Sequence, residues 1–292
     1  NVINGTGMKT GAALAGCAGI DRIAFTGGGT TARQVMSAAA HHLTPVHLEL
    51  GGKSANIVFD DANVERAIDG SLVNIFSNSG QICIAGSRIL VQRGISERFI
   101  AAFVARTRSL KVGNPLDPTV EVGPMAFKAH WKKVLNHIAR AKSDGALLLC
   151  GGEAPTNLGN GYFVTPTVFQ VDNNQLPLCQ EEVFGPVASI QIFDEDEEAC
   201  SLANDSRFGL VGYCWTNDLT RAQLFQQRIE AGTLWINTPL ARDLRAPFGG
   251  FKESGIGRDG PRQAAEFFTE EKATITAYGN TPIRKLGSLE AP

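Results

Sequence analysis

Apolar and polar positions along the chain alternate between two rhythms. Ile20 to Phe25 is a short, mostly apolar run that stops on Thr26-Gly27-Gly28-Gly29, and Thr30 to Ala40 follows with helical spacing. Such a run, closed by glycines and followed by a 3.6-residue rhythm, predicts a strand, a tight turn and a helix. Val46 to Leu50 predicts a second strand, ended by Gly51-Gly52, and Ala55 to Phe59 a third. Asp60-Asp61-Ala62-Asn63 leads into a helix from about Val64 to Phe76. Ile89 to Gln92 reads as a strand and Glu97 to Ser109 as an amphipathic helix. The pattern continues with a helix over Ala129 to Ser143, a buried strand over Ala146 to Cys150 and a strand over Val187 to Phe193. A helix over Glu197 to Asn204, a strand over Tyr213 to Thr216, a helix over Leu219 to Ile229 and a strand over Thr233 to Ile236 complete it. This alternation predicts an α/β fold with a mostly parallel sheet covered on both faces. Near the end, Ala273 to Ala277 is short and β-prone, which suits an edge or exchanged strand.

Composition narrows the function classes. A chain of 292 residues is long enough for two domains or one large α/β unit. A net charge of -2 gives no basic footprint for nucleic acid. The apolar runs, such as Ala146 to Cys150, are far too short to cross a bilayer, so no membrane role is expected. No signal peptide opens the chain, which starts at Asn1 without Met in a stretch that reads like the middle of a domain. The expectation is an N-terminally truncated chain. Six cysteines form no C-x-x-C pair and show no zinc-type spacing with histidines, so no metal site is expected. Reduced thiols in a cytoplasmic protein are the better reading, with at most one or two cysteines active beyond packing.

Cys83 stands in Asn78-Ser79-Gly80-Gln81-Ile82-Cys83. Gly80 lets the backbone approach a ligand closely, and Ala85-Gly86-Ser87 keeps the downstream side small. A cysteine after a turn and near a helix terminus has a route to a lowered pKa and thiolate chemistry. Taken alone, a lone cysteine among apolar residues is more often simply packed. Glu49 stands in Leu48-Glu49-Leu50-Gly51-Gly52-Lys53-Ser54. A carboxylate flanked by leucines is costly to bury without a use, and desolvation raises its pKa towards that of a general base. A glutamate on the exposed face of an edge strand is the equal alternative. The glycines at 27–29 sit where a helix start can take a phosphate, although many tight turns are glycine-rich and the G-x-G-x-x-G fingerprint is absent. The glycine-rich stretch from Phe248 to Gly260 reads as a functional loop. Alone, it and Glu181 to Pro186 are ordinary turn chemistry.

Together these segments resemble the aldehyde dehydrogenase superfamily. The landmarks are Phe25-Thr26-Gly27, Leu48 to Ser54, Gly80-Gln81-x-Cys83 with Arg88 after it, Glu181 to Pro186, and Pro247 to Arg258. They occur in the family's order across nearly the whole chain, and Glu49 and Cys83 are spaced as its pattern requires.

The resemblance implies that Cys83 attacks an aldehyde carbonyl to give a thiohemiacetal. Hydride then leaves for the nicotinamide, and Glu49 activates the water that hydrolyses the resulting thioester. The backbone N–H of Cys83 helps hold the oxyanion. Glu182 is similar to the family residue that holds the nicotinamide ribose, Phe184 to the one beside the nicotinamide, and His130 to a polar contact on the cofactor ribose. Gly27, Gly28 and Ala32 resemble the pyrophosphate-side helix start, with Gly28 replacing a common serine and Ala32 a common glycine. Leu50 and Gly51 complete the expected cofactor contacts. The family's upstream oxyanion asparagine and adenine-ribose strands have no counterpart, so the resemblance implies NAD and leaves NADP open. The fragment by itself is then expected to be incomplete for activity.

The stretch Asn237 to Arg245 is similar to hydroxymuconic and aminomuconic semialdehyde dehydrogenases, where an arginine binds the substrate carboxylate. Arg245, beside Phe248, is the expected substrate residue, against a surface ion pair with Asp243. The implied organisation is residues 1–51 as the C-terminal part of a NAD-binding domain of Rossmann type and 52–251 as the catalytic domain. Residues 252–292 return to the cofactor domain with an oligomerisation strand, giving a homodimer or homotetramer. Rival readings are an acylating enzyme on the same fold and a truncated, non-catalytic fragment.

Overall fold

The computed structural model describes residues 1–287. Seven strands form the main sheet: β3 (Ala55–Val58), β4 (Arg88–Gln92), β5 (Leu147–Cys150), β6 (Thr167–Gln170), β7 (Val187–Phe193), β9 (Val211–Trp215) and β10 (Thr233–Ile236). Their order is β10-β9-β3-β4-β7-β6-β5. All neighbours run parallel except β5, which lies antiparallel on β6. Central strands of such a sheet are covered on both sides, so β3 and β4 are buried at every position rather than at alternate ones.

Alternate residues of one strand feed opposite layers. Ile89 and Val91 of β4 meet Ile68, Leu72 and Ile75 of α3 (Val64–Phe76) and Phe99 and Phe103 of α4 (Arg93–Ser109). Leu90, between them, faces the other layer with Ala199 and Cys200 of α7 (Asp196–Asn204) and Phe225 of α8 (Leu219–Arg228). Asn63 starts α3 by accepting the Arg66 N–H, and Asp218 starts α8 by accepting those of Thr220 and Arg221.

A smaller sheet carries β1 (Ile23–Thr26), β2 (Val46–Glu49) and β12 (Gly255–Ile256) in the order β1-β2-β12. The first two are parallel, and β12 returns antiparallel onto β2. Helix α2 (Gly29–Ala40) lays Ala32 on Leu48 and Leu50. A two-stranded ladder pairs β8 (Phe208–Gly209) with β11 (Phe251–Lys252). The remaining helices are α1 (Ala12–Ala15), α5 (Lys128–Ser143), α6 (Pro177–Gln180) and α9 (Pro261–Phe268).

Two sequence expectations need correction, and a third concerns pairing with another copy. The strand at 147–150 is not buried: it is the sheet edge, with Leu147 60% exposed. The helix expected from Glu97 begins at Arg93. Ala273 to Ala277 forms no strand within the chain, and Ile275 is 97% exposed. A β-prone segment needs a neighbour to pair with, and none of the described strands lies beside it.

Candidate active site

Glu49 ends β2, and Cys83 lies in the turn that follows α3. After Phe76 the chain enters a short 3-10 turn in which Asn78, Ser79 and Gly80 all take left-handed φ of 50°, 58° and 70°. Two non-glycine residues there cost on the order of 1–2 kcal/mol each, so neighbours must hold them. The Ser79 hydroxyl donates to the Gly123 carbonyl at 3.0 Å, and the Asn78 amide to the Gln81 carbonyl at 3.0 Å. The Gln81 side-chain oxygen accepts the Ala126 N–H at 2.9 Å. Gly80 has no alternative residue: a Cβ would collide with the Gly185 carbonyl.

Gly51-Gly52, just past Glu49, is where three segments meet. A Cβ on Gly51 would strike the Glu182 carboxylate, and one on Gly52 would lie 2.8 Å from the Cys83 carbonyl oxygen. The Gly52 N–H donates to Glu182 Oε1 at 3.3 Å. The Cys83 turn, the strand end with Glu49 and the Glu181–Pro186 loop thus touch only because two side chains are missing.

The half-buried Cys83 packs with Ile84, Leu210, Tyr213, Trp235, Leu240 and Phe248. The Tyr213 and Trp235 rings stack at 5.1 Å. The Tyr213 hydroxyl donates to the Ile84 carbonyl at 2.8 Å, and the Trp235 ring N–H to the Ala241 carbonyl at 2.7 Å. This fixes a flat apolar wall beside the sulfur. The expected lowering of the Cys83 pKa is overturned. Burial pushes the thiol up, Glu182 and Glu49 push it further, and the amides of Ile84 and Cys83 oppose them. Cys83 lies beyond the C-terminal end of α3, so no helix start offsets the two carboxylates.

Glu49 is 8% exposed. Burial pushes its carboxyl up to about 7, Asp259 adds to the rise and Arg258 opposes it. That value suits a base at neutral pH. Glu182 is also raised, by burial first, against the Gly52 amide, Lys133 and Lys53. Phe184 sits at φ 59°, its carbonyl accepting a 2.6 Å hydrogen bond from His130 Nε2 and its ring edge-on to the His130 ring. His130 therefore fixes the backbone beside Glu182.

At the same end of the small sheet, α2 starts on Gly28 without any side-chain cap, and the space at Gly28 is open. Gly27 donates its N–H to the Glu49 carbonyl at 3.1 Å, tying this turn to the end of β2. A groove beside the helix start is lined by Gly29, Ala32, Leu48, Leu50 and Ile256. Uncapped amides of a twelve-residue helix, an apolar groove and a carboxylate at the far end fit a dinucleotide. Among the described residues no cluster of three His, Cys, Asp or Glu could hold a metal ion.

Arg245 is not aimed at this site. It is 88% exposed and pairs with Asp243, whose carboxylate also accepts the Arg245 N–H at 2.9 Å. That short-range turn folds the guanidinium back onto its neighbour. Arg242 instead lies over the Phe248 ring at 5.9 Å and is felt at Tyr213. Arg88 is a buried clamp, donating to Lys53, Asn174, Leu202 and Ala203. Sequence reasoning missed Ser254, fully buried, whose hydroxyl donates to the Gly51 carbonyl at 2.7 Å and accepts the Gly209 N–H at 3.0 Å. It gave Lys53 no role, yet the Lys53 ammonium is buried and its pKa falls to about 8.

The sequence profile described as the aldehyde dehydrogenase family matches residues 1–274. The chain is 42% identical over 282 residues to a betaine aldehyde dehydrogenase of Mesorhizobium japonicum, covering 96% of this chain and 58% of that relative. A crystal structure from Burkholderia cenocepacia superposes with a TM-score of 0.93 at 43% identity, covering 96% of this chain and 58% of that one. Betaine aldehyde dehydrogenase from Staphylococcus aureus, solved in complex with NAD+, superposes at 0.89 and 40% identity, over 91% of this chain and 53% of that one. This chain thus spans little more than half the length of the proteins it matches. It belongs to the aldehyde dehydrogenase family.

Proposed function

We propose that the protein containing this chain oxidises an aldehyde to a carboxylic acid, with Cys83 as nucleophile and Glu49 as base. The observation that carries this is the meeting of the Cys83 turn, the Glu49 strand end and the Glu182 loop at Gly51-Gly52. Cys83 adds to the carbonyl, and its own amide N–H stabilises the oxyanion. A thiol that burial holds protonated needs a base, and Glu49 is a carboxylate close enough to perturb it. NAD, when bound by the start of α2 and by Glu182 and Phe184, supplies the hydride acceptor. Glu49 then takes a proton from the water that attacks the thioester and passes it to the departing sulfur, releasing acid and thiol. Its presence favours hydrolysis over transfer to a thiol cosubstrate.

For the substrate we infer a semialdehyde carrying a carboxylate, as in aromatic catabolism. Arg242, not Arg245, is the guanidinium beside Phe248 and the wall behind Cys83. The relatives' names favour betaine aldehyde as a second reading, and the partly buried Phe248 ring beside Cys83 is an aromatic face for a quaternary ammonium group. We also read the protein as cytoplasmic and as a homodimer or homotetramer. Its six cysteines are all free, and no helix of the described residues is long and apolar enough to cross a membrane. Apolar side chains at Ile275, Tyr278 and Ile283 stand almost wholly exposed, as a segment covered by another copy would.

In the full-length protein, Cys83→Ala is expected to abolish turnover while leaving NAD affinity within about twofold. Arg242→Ala is expected to lower kcat/KM for a carboxylate-bearing semialdehyde by about tenfold or more, with little change for Arg245→Ala, in line with one charged hydrogen-bonded pair. Undiminished turnover of Cys83→Ala rules out the mechanism. Preference for a trimethylammonium aldehyde in wild type rules out the substrate proposal alone.

A further inference from the structure

Residues two apart on a strand point to the same side, and β2 places His47 beside Glu49 in this way. Both are buried: their side chains are 8% and 10% exposed. His47 Nε2 lies 3.6 Å from Glu49 Oε1, and both atoms are buried without a hydrogen-bond partner. On the other edge of the ring, His47 Nδ1 lies 3.5 Å from Asp259 Oδ1, and that carboxylate is 61% exposed.

The surroundings hold this row in place. Gly249 brings its backbone so close that a Cβ would lie 2.7 Å from Glu49 Oε1, and a Cβ on Gly257, at φ 89°, would collide with the His47 ring. The Phe267 ring of α9 packs on the imidazole at 5.6 Å. The charged groups around the row are Glu49 on β2, and Arg258 and Asp259 from the returning loop.

We propose that His47 is the relay that carries the proton from Glu49 to Asp259 and so to solvent. The proposal rests on Glu49 being the base that hydrolyses the Cys83 thioester. The proton that Glu49 takes from the Cys83 thiol on acylation sits on a carboxyl with almost no contact with water, and it must leave before the carboxylate can activate the hydrolytic water. The Glu49 carboxyl passes it to Nε2, Nδ1 passes its own proton to the Asp259 carboxylate, and Asp259 releases it to water. The carbon chemistry is untouched, one proton enters and one leaves, and exchange of the ring protons with water between turnovers restores the starting tautomer. A contraction of about 0.6 Å brings each gap into hydrogen-bond range, the kind of tightening reacting sites undergo.

The test uses p-nitrophenyl acetate on the full-length protein, which reads acylation as a nitrophenolate burst and deacylation as the steady phase. His47→Gln is expected to keep the burst and slow the steady phase about tenfold. The slow phase is expected to accelerate with buffer concentration and with added imidazole, which a merely structural defect does not produce. Asp259→Asn, at an exposed position, is expected to slow the same phase, and the double variant to be no slower than His47→Gln. Should His47→Gln fail to fold, the Asp259→Asn steady phase decides. Wild-type deacylation in either variant, or slowing of His47→Gln that neither buffer nor imidazole relieves, overturns the relay. Loss of the burst in Cys83→Ala and of the steady phase in Glu49→Gln tests the underlying mechanism separately.

Discussion

The Glu49 carboxyl is pushed up to about 7 because burial and the nearby Asp259 both disfavour its charge. Two pH dependences of opposite sign follow. Deacylation needs the carboxylate, so its rate is expected to rise with pH through about 7 and to lose that limb in Glu49→Gln. Stability runs the other way. A carboxyl whose folded value lies above its ordinary value of 4.5 stabilises the fold below 4.5 and loses that contribution as pH rises to about 7. Glu49→Gln is therefore expected to be more stable than wild type at pH 8, by on the order of 3 kcal/mol at most, and nearly equal at pH 4.5. Urea melts at the two pH values measure this, and equal stability at pH 8 contradicts it. The meeting of the Cys83 and Glu49 segments was legible because ordered motifs surround them. Arg245 was misjudged because nearness to Phe248 in sequence does not reveal that Asp243 captures it through a two-residue turn. His47 left no signal, since its partner Asp259 lies far along the chain and reaches it only through the return of β12 onto β2.

Elements with their own periodicity were readable almost to the residue. Helix α3 and strands β7 and β10 have the bounds that the apolar pattern predicts. The two-residue strands β8, β11 and β12 were not, because long-range pairing creates them and two residues carry no period. Yet these short pieces position the site: β12 closes the glycine loop over β2, and Ser254 anchors the join. Ser254→Ala removes one buried hydroxyl and strands the Gly51 carbonyl and the Gly209 N–H. The expected loss is about 1–3 kcal/mol, read as a lower Tm, together with a fall in kcat as Gly249 loosens against Glu49. An unchanged Tm contradicts this role.

At the scale of the molecule, parallel βα units bring loops from distant parts of the chain to one place, the ends of β2 and β3 and the turn before β4. We read residues 1–51 and 252 onward as one cofactor-binding unit and 52–251 as the catalytic unit; the pairing of β12 with β2 supports that division. The chemistry assigned to their junction depends on a single covalent step at a single thiol. Glu49→Gln keeps the thiol but lacks the base, so it should form the acyl enzyme slowly and not clear it. After treatment with p-nitrophenyl acetate, mass spectrometry of the full-length Glu49→Gln protein is therefore expected to show one stable acetyl group on the Cys83 peptide. No adduct, or an adduct on another cysteine such as the exposed Cys17, would contradict Cys83 as the nucleophile.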